Sequence, residues 1–205
     1  MSRPNAQPFD EAAVRPLVEQ VVDRYLSKLE TGTNGSRSLI PGDRSAVAIG
    51  ADHGGYALKE ILVAHLHSHG YEVRDCGTHS PDPVDYPEIA HAVARLVAGG
   101  DCGCGIIVDG AGIGSCMVAN KVPGIRAALC YDIPSARNSR AHNHANVLTL
   151  GTGLLGRIFA TQIVDVFLAT PWAPGRHARR VAQIEAIGAA PGCEAVPDSR
   201  RPTAD

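Results

Sequence analysis

The sequence predicts an α/β fold, and three observations support this prediction. Between residues 45 and 188, short apolar runs alternate with segments of helical periodicity, which is typical of parallel sheets covered by helices on both faces. Polar and glycine-rich residues follow several of these runs, where ligands bind in such folds. A separate apolar stripe with helical spacing lies before residue 30. We therefore expect a Rossmann-like three-layer sandwich with a mainly parallel five-stranded sheet, plus an N-terminal amphipathic helix.

Residues 1–30 carry the predicted N-terminal helix. From Val14 to Leu29, apolar residues recur at steps of three and four, so they fall on one side of a helix. Pro16 fits only a first turn, so the helix is expected to begin near Val14. Residues 31–44 are rich in glycine and serine, with asparagine and proline among them, which predicts a flexible linker.

Residues 45–188 carry the predicted sheet and its helices. The apolar runs expected to form strands are 46–50, 71–75, 105–108, 125–129 and 147–150. The segments expected to form helices are 56–69, 87–98, 115–120, 135–141 and 154–169. Residues 189–205 are rich in proline, alanine and charged residues, which predicts a disordered tail.

The composition excludes several classes of partner. The chain has 205 residues, of which 44% are hydrophobic, enough for a domain with a real core. A net charge of -2 provides no large basic surface for nucleic acid. No apolar run approaches the roughly 18–20 residues of a membrane span, and residues 1–10 lack the apolar segment of a secretory signal. We expect a cytoplasmic protein with no nucleic-acid or membrane partner.

Neither the cysteines nor the histidines show a metal-binding pattern. The six cysteines, in a chain of this length, are expected to be reduced and mostly buried. Cys102 and Cys104 are two residues apart, which is not the common zinc spacing. His142 and His144 are also two apart, and no third ligand lies near them in the sequence. No metal site is predicted.

Two predicted strands end in polar segments. Asp52 and His53 follow the first strand, where a carboxylate can accept a hydrogen bond from a sugar hydroxyl and an imidazole can donate to a phosphate. The alternative is that Asp52 only caps the following helix. Asp109 ends the third strand and is a candidate general base, provided that burial makes it basic enough while it stays ionised.

A glycine-rich segment follows Asp109. Gly110, Gly112 and Gly114 alternate with other residues before a predicted helix, so their amides can point at an anion or oxyanion. A dinucleotide site would have a different glycine spacing and a later acidic residue. The segment therefore predicts an anion site that does not bind a dinucleotide.

Two further segments offer acid–base and phosphate-binding groups. His142 is a candidate acid or base because neutral imidazole titrates near working pH. Arg176 and Arg180 are one helical turn apart and can hold one phosphate with permanently charged forks. A solvated basic helix end is the alternative interpretation of the two arginines.

The motifs occur together in one order: DHGG at 52–55, DYP at 85–87, GAGIG at 110–114, ANK at 119–121, GIRAA at 124–128, HN at 142–143, NV at 146–147 and GRH at 175–177. This order resembles that of ribose-5-phosphate isomerase type B and its galactose-6-phosphate isomerase relatives. The resemblance covers roughly residues 46–188 and is more specific for the family than for the substrate. It implies aldose–ketose isomerisation through an enediolate, without metal or organic cofactor.

The resemblance also implies roles for individual residues. The predicted catalytic residues are Asp109 as the base and His142, which helps to open the sugar ring. The predicted substrate-binding residues are Asp52, His53, Tyr86, Gly110, Gly112, Gly114, Asn143, Arg176 and Arg180. Of these, the glycines would form the anion hole and the arginines would hold the phosphate. Members of the family are dimers or tetramers in which a neighbouring subunit completes each site.

The chain departs from the family at three informative positions. Many members have cysteine as the base where Asp109 stands, threonine or serine where Ala111 stands, and arginine where Gly153 stands. Some relatives have a carboxylate base a few positions later, where this chain has Ser115 and Cys116. Asp109 is therefore predicted to replace the usual cysteine, and Arg157 is a candidate to compensate for the missing arginine.

These features predict conversion of ribose 5-phosphate to ribulose 5-phosphate, with a small-molecule sugar phosphate as the ligand. Two alternatives remain open. One is isomerisation of a different sugar phosphate, because Ala111 and Gly153 both enlarge the pocket. The other is a catalytically degenerate binding or scaffold homologue.

Residues 1–30 and their linker resemble the encapsulation peptides that direct enzymes into bacterial microcompartments. The implied partner is a shell protein that binds the helix in a groove, which would place the protein in a microcompartment lumen. The alternative is that this helix packs on its own domain or extends a dimer interface.

Overall fold

Strands and helices alternate along residues 46–189, the part of the chain that the computed structural model describes. The strands are β1 (Ala46–Ala51), β2 (Glu72–Asp75), β3 (Cys104–Asp109), β4 (Ala127–Leu129) and β5 (Val147–Gly151). The helices are α1 (Tyr56–Ser68), α2 (Tyr86–Gly99), α3 (Ile113–Ala119), α4 (Ile133–Asn143), α5 (Arg157–Ala169) and α6 (Ala178–Ala189). A single 3-10 turn, Gly175–His177, precedes α6.

The five strands form one sheet in the order β2-β1-β3-β5-β4, and every pairing is parallel. The predicted α/β class and five-stranded sheet are therefore confirmed. From β1 the chain crosses first to β2 on one side and then to β3 on the other. The connections therefore run to opposite sides of β1, which makes the space between β1 and β3 a topological switch point of the sheet. Ligands bind at such points, beyond the carboxyl ends of the strands.

Alternate residues of the central strands supply two apolar cores, one on each face of the sheet. Val47 and Ile49 pack with Leu62 of α1 and Phe167 of α5, together with residues of α4. Ala48, on the opposite face, packs with residues of α2 and α3. The strands read as continuous apolar runs because both faces are covered.

The turn after β1 passes very close to β3. A Cβ atom at Gly55 would lie 2.2 Å from the carbonyl oxygen of Val108, so only glycine fits there without a backbone shift. The amide of Asp52 donates to the same carbonyl at 3.2 Å. The polar residues that follow β1 and β3 are therefore held side by side.

The predicted elements agree with the structure apart from their ends. The helix expected over 154–169 begins only at Arg157, because the chain first turns back on itself through Gly153 and Leu155, whose amides bond to Gly110 and Gly151. The helix at the end of the domain extends to Ala189. The predicted N-terminal helix, the linker and the tail fall in residues 1–45 and 190–205, outside the described part. No helix in the described part is long and apolar enough to cross a membrane.

Candidate active site

Asp52 lies just after β1, at the switch point of the sheet. Its Oδ1 accepts a hydrogen bond from the amide of Gly55 at 2.8 Å, so the carboxylate stabilises the turn that leads into α1. The N-cap of α1 is Gly55, which has no side-chain capping bond, so Asp52 holds the turn before the helix and does not cap the helix itself. The side chain is nevertheless only half-buried, and its Oδ2 has no hydrogen-bond partner within residues 46–189.

Two more predicted residues lie on the same edge of the sheet. His53 is exposed, and its Nδ1 lies 3.3 Å from both the amide nitrogen and the carbonyl oxygen of Val84, in the segment before α2. Tyr86 begins α2 and packs its ring on the glycine-rich segment: a Cβ atom at Gly114 would lie 2.6 Å from its hydroxyl oxygen. Asp52, His53 and Tyr86 thus lie around the carboxyl ends of β1 and β3.

Asp109 ends β3, and its carboxylate accepts four hydrogen bonds. Its Oδ1 accepts from the amides of Ala111, at 2.8 Å, and Gly112. Its Oδ2 accepts from the amide of Ser115, at 3.2 Å, and from the Ser115 hydroxyl. Only 5% of the residue is exposed. Because a carboxylate has about four lone-pair positions, the surrounding loop occupies all of them.

These hydrogen bonds change how the glycine-rich segment can bind an anion. The amides of this segment already surround the Asp109 carboxylate. The amide of Gly112, expected to face a ligand, donates to Asp109 instead. Within the described residues, the amides of Gly110 and Gly114 have no acceptor, so these two are available to a ligand.

Three side chains that sequence reasoning missed hold the glycine-rich segment in place. The Tyr131 hydroxyl donates to the carbonyl of Ala111 at 2.6 Å, and the Thr149 hydroxyl donates to the carbonyl of Gly112 at 2.8 Å. Ser115 supplies the two bonds to Asp109. Thr149 is fully buried in the middle of apolar β5, and a polar residue in such a run is the signal that could have identified it.

The described cysteines do not supply a thiolate base. Burial raises the pKa of the Cys116 thiol, although hydrogen bonds from its surroundings partly oppose this. Its Sγ donates to the carbonyl of Ala127 at 3.5 Å. Burial raises the pKa of Cys76 to about 11. Both thiols are therefore protonated near neutral pH, and Asp109 remains the basic group at the tip of β3.

A second cluster contains His142, His177, Arg176 and Arg180. The rings of His142 and His177 stack with centroids 4.2 Å apart and planes 9° apart. Arg176 Nε lies 3.4 Å from His177 Nε2. Desolvation lowers the pKa of His177, and the charges of His142, Arg176 and Arg180 lower it further. The amide of Asn138 donates to His142 Nδ1, 2.9 Å away. Because an amide nitrogen only donates, His142 Nδ1 accepts this bond and Nε2 faces away from it.

The second cluster lies on the opposite edge of the sheet from Asp109. Helix α4 begins after the carboxyl end of β4 and ends just before the amino end of β5, which places His142 and Asn143 at the amino edge. The amide of Ala173 donates to the carbonyl of Ala141 at 3.0 Å, so the segment leading to Arg176 lies there too. The five residues of β5 span roughly 13–17 Å. One chain therefore does not bring the two clusters together.

The chain is similar to known isomerases over most of its length. The family described as Ribose/Galactose Isomerase matches residues 47–184. Ribose-5-phosphate isomerase B of Escherichia coli K12 is 46% identical over 141 residues, which cover 69% of this chain and 95% of that protein. The same-named protein of Mycobacterium tuberculosis H37Rv is 39% identical over 137 residues, which cover 66% and 85%.

Solved structures agree with these similarities. Ribose-5-phosphate isomerase B of Clostridium thermocellum has a TM-score of 0.69 and 48% identity, covering 69% of this chain and 96% of that chain. The type B ribose 5-phosphate isomerase of Trypanosoma brucei has a TM-score of 0.68 and 45% identity, covering 70% and 99%.

Proposed function

The chain belongs to the ribose/galactose isomerase family, and we propose that it interconverts ribose 5-phosphate and ribulose 5-phosphate with Asp109 as the base. The match to relatives named for this activity supports the substrate class. The observation that carries the choice of base is the Asp109 carboxylate, which ends β3 at the switch point of the sheet.

Asp109 would take a proton from C2 of the open-chain aldose and return it to C1, through an enediolate. Its four hydrogen bonds fix the position of the carboxylate. To accept a proton, Asp109 must first lose one of these hydrogen bonds, so that a lone pair becomes free. The Ser115 hydroxyl is the donor that can most easily turn away, because a hydroxyl rotates about its Cβ–Oγ bond whereas the backbone amides are fixed.

Other residues at the same edge would bind the sugar. The half-buried Asp52 carboxylate would accept from a substrate hydroxyl, and exposed His53 would contact the substrate or its phosphate. Tyr86 would line the pocket beside Gly114. The amides of Gly110 and Gly114 would donate to the enediolate oxygen, where preorganised donors act most strongly.

A second copy of the chain would supply the remaining groups. His142 would donate its Nε2 proton to open the sugar ring, with Asn143 beside it, and Arg176 and Arg180 would hold the phosphate. These residues lie at the amino edge of the sheet, so the Asp109 cluster of one subunit would meet the His142 cluster of another. We therefore propose a homodimer, or a tetramer built from such dimers, with shared active sites.

The test is isomerisation of ribose 5-phosphate by the purified full chain and by two Asp109 variants. Asp109→Asn is expected to lower kcat by about 10²–10⁴-fold, the usual contribution of a general base, with ligand binding largely retained. Asp109→Cys introduces the thiol base that many relatives have, and is expected to retain much more activity than Asp109→Asn.

Asp132→Asn is the matched control. Asp132 also accepts from the backbone at a helix start on the carboxyl edge, with Ser135 N at 2.6 Å, but it follows β4 and lies outside the cluster. Its replacement should leave kcat within about twofold of the original. Unchanged turnover in a folded Asp109→Asn variant would remove Asp109 from the mechanism. Absence of turnover in the unaltered chain, with any sugar phosphate, would favour a degenerate binding protein.

The surroundings of Gly153 favour a second candidate, a different sugar phosphate. The Gly153 amide donates to the carbonyl of Gly110 at 3.0 Å, so this position borders the glycine-rich segment. Glycine there and alanine at 111 leave more room and less charge than in the relatives that carry arginine and a hydroxyl. Measuring kcat/KM for a panel of pentose, hexose and deoxy sugar phosphates tests this candidate. If ribose 5-phosphate has the highest kcat/KM, the candidate is rejected.

Residues 1–30 would deliver the enzyme to a microcompartment shell. This part of the proposal rests on the sequence, because these residues lie outside the described range. Residues 1–36 fused to a fluorescent protein and co-expressed with shell proteins should give fluorescence confined to shells. Diffuse fluorescence would contradict targeting, and an altered oligomer size after deletion of residues 1–36 would favour a role in the subunit interface.

A further inference from the structure

Three polar side chains meet on the surface between α1 and α5, and none of them belongs to the two clusters described above. His65 and His69 lie on α1 and its C-terminal cap, and Asp165 lies on α5. His65 Nε2 is 2.6 Å from Asp165 Oδ1, and the ring centroids of the two histidines are 4.3 Å apart. One potential ligand atom from each residue lies within 4.8 Å of the other two.

The types and spacing of these residues suit a divalent zinc ion. Residues four apart share one face of a helix, so both imidazoles are presented together. Zinc takes imidazole nitrogen at about 2.0–2.1 Å and carboxylate oxygen at about 2.0–2.2 Å, usually in a tetrahedron. Two imidazoles and one carboxylate would fill three positions and leave the fourth for water.

The backbone already holds His69 in the tautomer that a metal requires. His69 Nδ1 lies 2.8 Å from the carbonyl oxygen of His65. Because a carbonyl only accepts, Nδ1 carries the hydrogen and Nε2 keeps its lone pair. Metal-binding histidines almost always donate their other ring nitrogen in this way, to a carbonyl, a carboxylate or water.

We propose that His65, His69 and Asp165 bind one zinc ion per chain, with water as a fourth ligand. In a tetrahedral site the ligand atoms lie about 3.4 Å apart, so His65 Nε2 and Asp165 Oδ1, which are 2.6 Å apart without the ion, must separate slightly to admit it. His69 and Asp165 are exposed and free to adjust. The ion would link α1 to α5 and stabilise the folded chain, and it would take no part in isomerisation.

The experiment is zinc titration of the full, untagged chain by calorimetry, with thermal unfolding at several zinc concentrations. One equivalent should bind, and the unfolding midpoint should rise with zinc concentration, because the ion binds only the folded state. His69→Ala and Asp165→Ala should each weaken binding by about tenfold or more. Circular dichroism without zinc checks that each variant is folded.

His67→Ala is the matched control, because His67 is exposed on the same helix but is outside the cluster. It should bind zinc as the unaltered chain does. No zinc binding by the unaltered chain would overturn the proposal. So would unchanged affinity in either His69→Ala or Asp165→Ala, or an equal loss in all three variants, which would indicate non-specific binding to surface histidines.

Discussion

Ser115 supplies two of the four hydrogen bonds that hold the Asp109 carboxylate, one from its amide and one from its hydroxyl. The residue is fully buried, so it acts on a substrate only through Asp109. Its hydroxyl is thus a positioning group that fixes the orientation of the Asp109 carboxylate. This role can be tested apart from the role of the base itself.

Ser115→Ala is expected to lower kcat more than it raises KM. With one donor lost, the carboxylate is held less firmly in the geometry that proton transfer needs. The free energy of unfolding should fall by about 1.5–3 kcal/mol, the usual worth of a hydrogen bond to a charged group. The measurements are kcat and KM for ribose 5-phosphate, together with urea unfolding.

Ser139→Ala is the control for the loss of a buried hydroxyl. Ser139 is also buried, but its hydroxyl donates to the carbonyl of Ala136 in α4. This variant should lose stability while kcat stays unchanged. An unchanged kcat in Ser115→Ala as well would show that the Ser115 hydroxyl has no influence on the base.

The position of Asp109 could be predicted from the sequence, but its hydrogen bonds could not. A strand-tip acid can be found from the apolar run that precedes it. Its bonds depend on the left-handed backbone of Gly112, with φ of 73°, which turns the chain so that Ser115 faces back. Periodicity carries no information about such a turn, so the Gly112 amide was expected to face a ligand.

Lys59 joins α1 to the edge strand β2. Its side chain is fully buried, and its Nζ lies 2.5 Å from Asp75 Oδ2 and 3.0 Å from Glu60 Oε1. Burial lowers the pKa of Lys59, but the hydrogen bonds to Asp75 and Glu60 outweigh it, so the net pKa is raised above 10.5. A raised lysine pKa contributes stability that is present below pH 10.5 and is lost as pH rises through the folded value.

Lys59→Met should therefore lower the free energy of unfolding by about 1–3 kcal/mol near neutral pH. The loss is smaller than for a fully buried pair because Asp75 keeps 27% of its side chain exposed. The difference from the unaltered chain should shrink as pH rises above 10.5, since Lys59 then loses its charge. Urea unfolding across neutral and alkaline pH measures both effects.

Arg74→Met provides the comparison, because Arg74 lies on β2 next to Asp75, the partner of Lys59. Arg74 pairs with Glu72 at 2.8 Å, but both side chains are more than half exposed, and exposed pairs contribute about 0–1 kcal/mol. The Arg74→Met substitution should therefore change the free energy of unfolding little at any pH. A Lys59→Met variant that behaves like Arg74→Met would show that the buried pair contributes nothing to stability.

Strands were easier to predict than helix ends. The central strands are covered on both faces, so each is a continuous apolar run bounded by polar residues. The predicted start of α5 is three residues too early, because Leu154 and Leu155 continue the apolar pattern of the helix although they lie in a turn. Apolar spacing alone does not separate a helix from an apolar turn that packs beside it.

The Asp109 cluster and the His142 cluster lie at opposite ends of the strands. The carboxyl edge, which carries Asp109, exposes apolar side chains as well as polar ones. Ile113 and Met117 of α3, and Leu154 and Ile158 in the segment that follows β5, are 47–68% exposed. An exposed apolar rim around a polar site is typical of a surface that another protein covers. A second copy that carries the His142 cluster to this edge would cover both the rim and the sugar.

A site shared between subunits is predicted only through the resemblance to the family. Composition and periodicity describe one chain, and the sequence order of Asp109 and His142 does not reveal that they lie on opposite edges. That conclusion needs the direction of α4, which runs from the carboxyl edge back to the amino edge between β4 and β5. The fold of the domain was therefore predictable from the sequence, whereas the way its site is assembled was not.

Mixed dimers provide the test of this assembly. Asp109→Asn and His142→Ala should each lower kcat/KM by about 10²–10⁴-fold. In a two-fold dimer that contains one subunit of each kind, one site carries both substitutions and the other carries neither. Co-expression with two different affinity tags and purification on both should give heterodimers with about half the activity of the unaltered dimer. Heterodimers as inactive as the two parents would contradict a shared site, because Asp109 and His142 would then have to act within one chain.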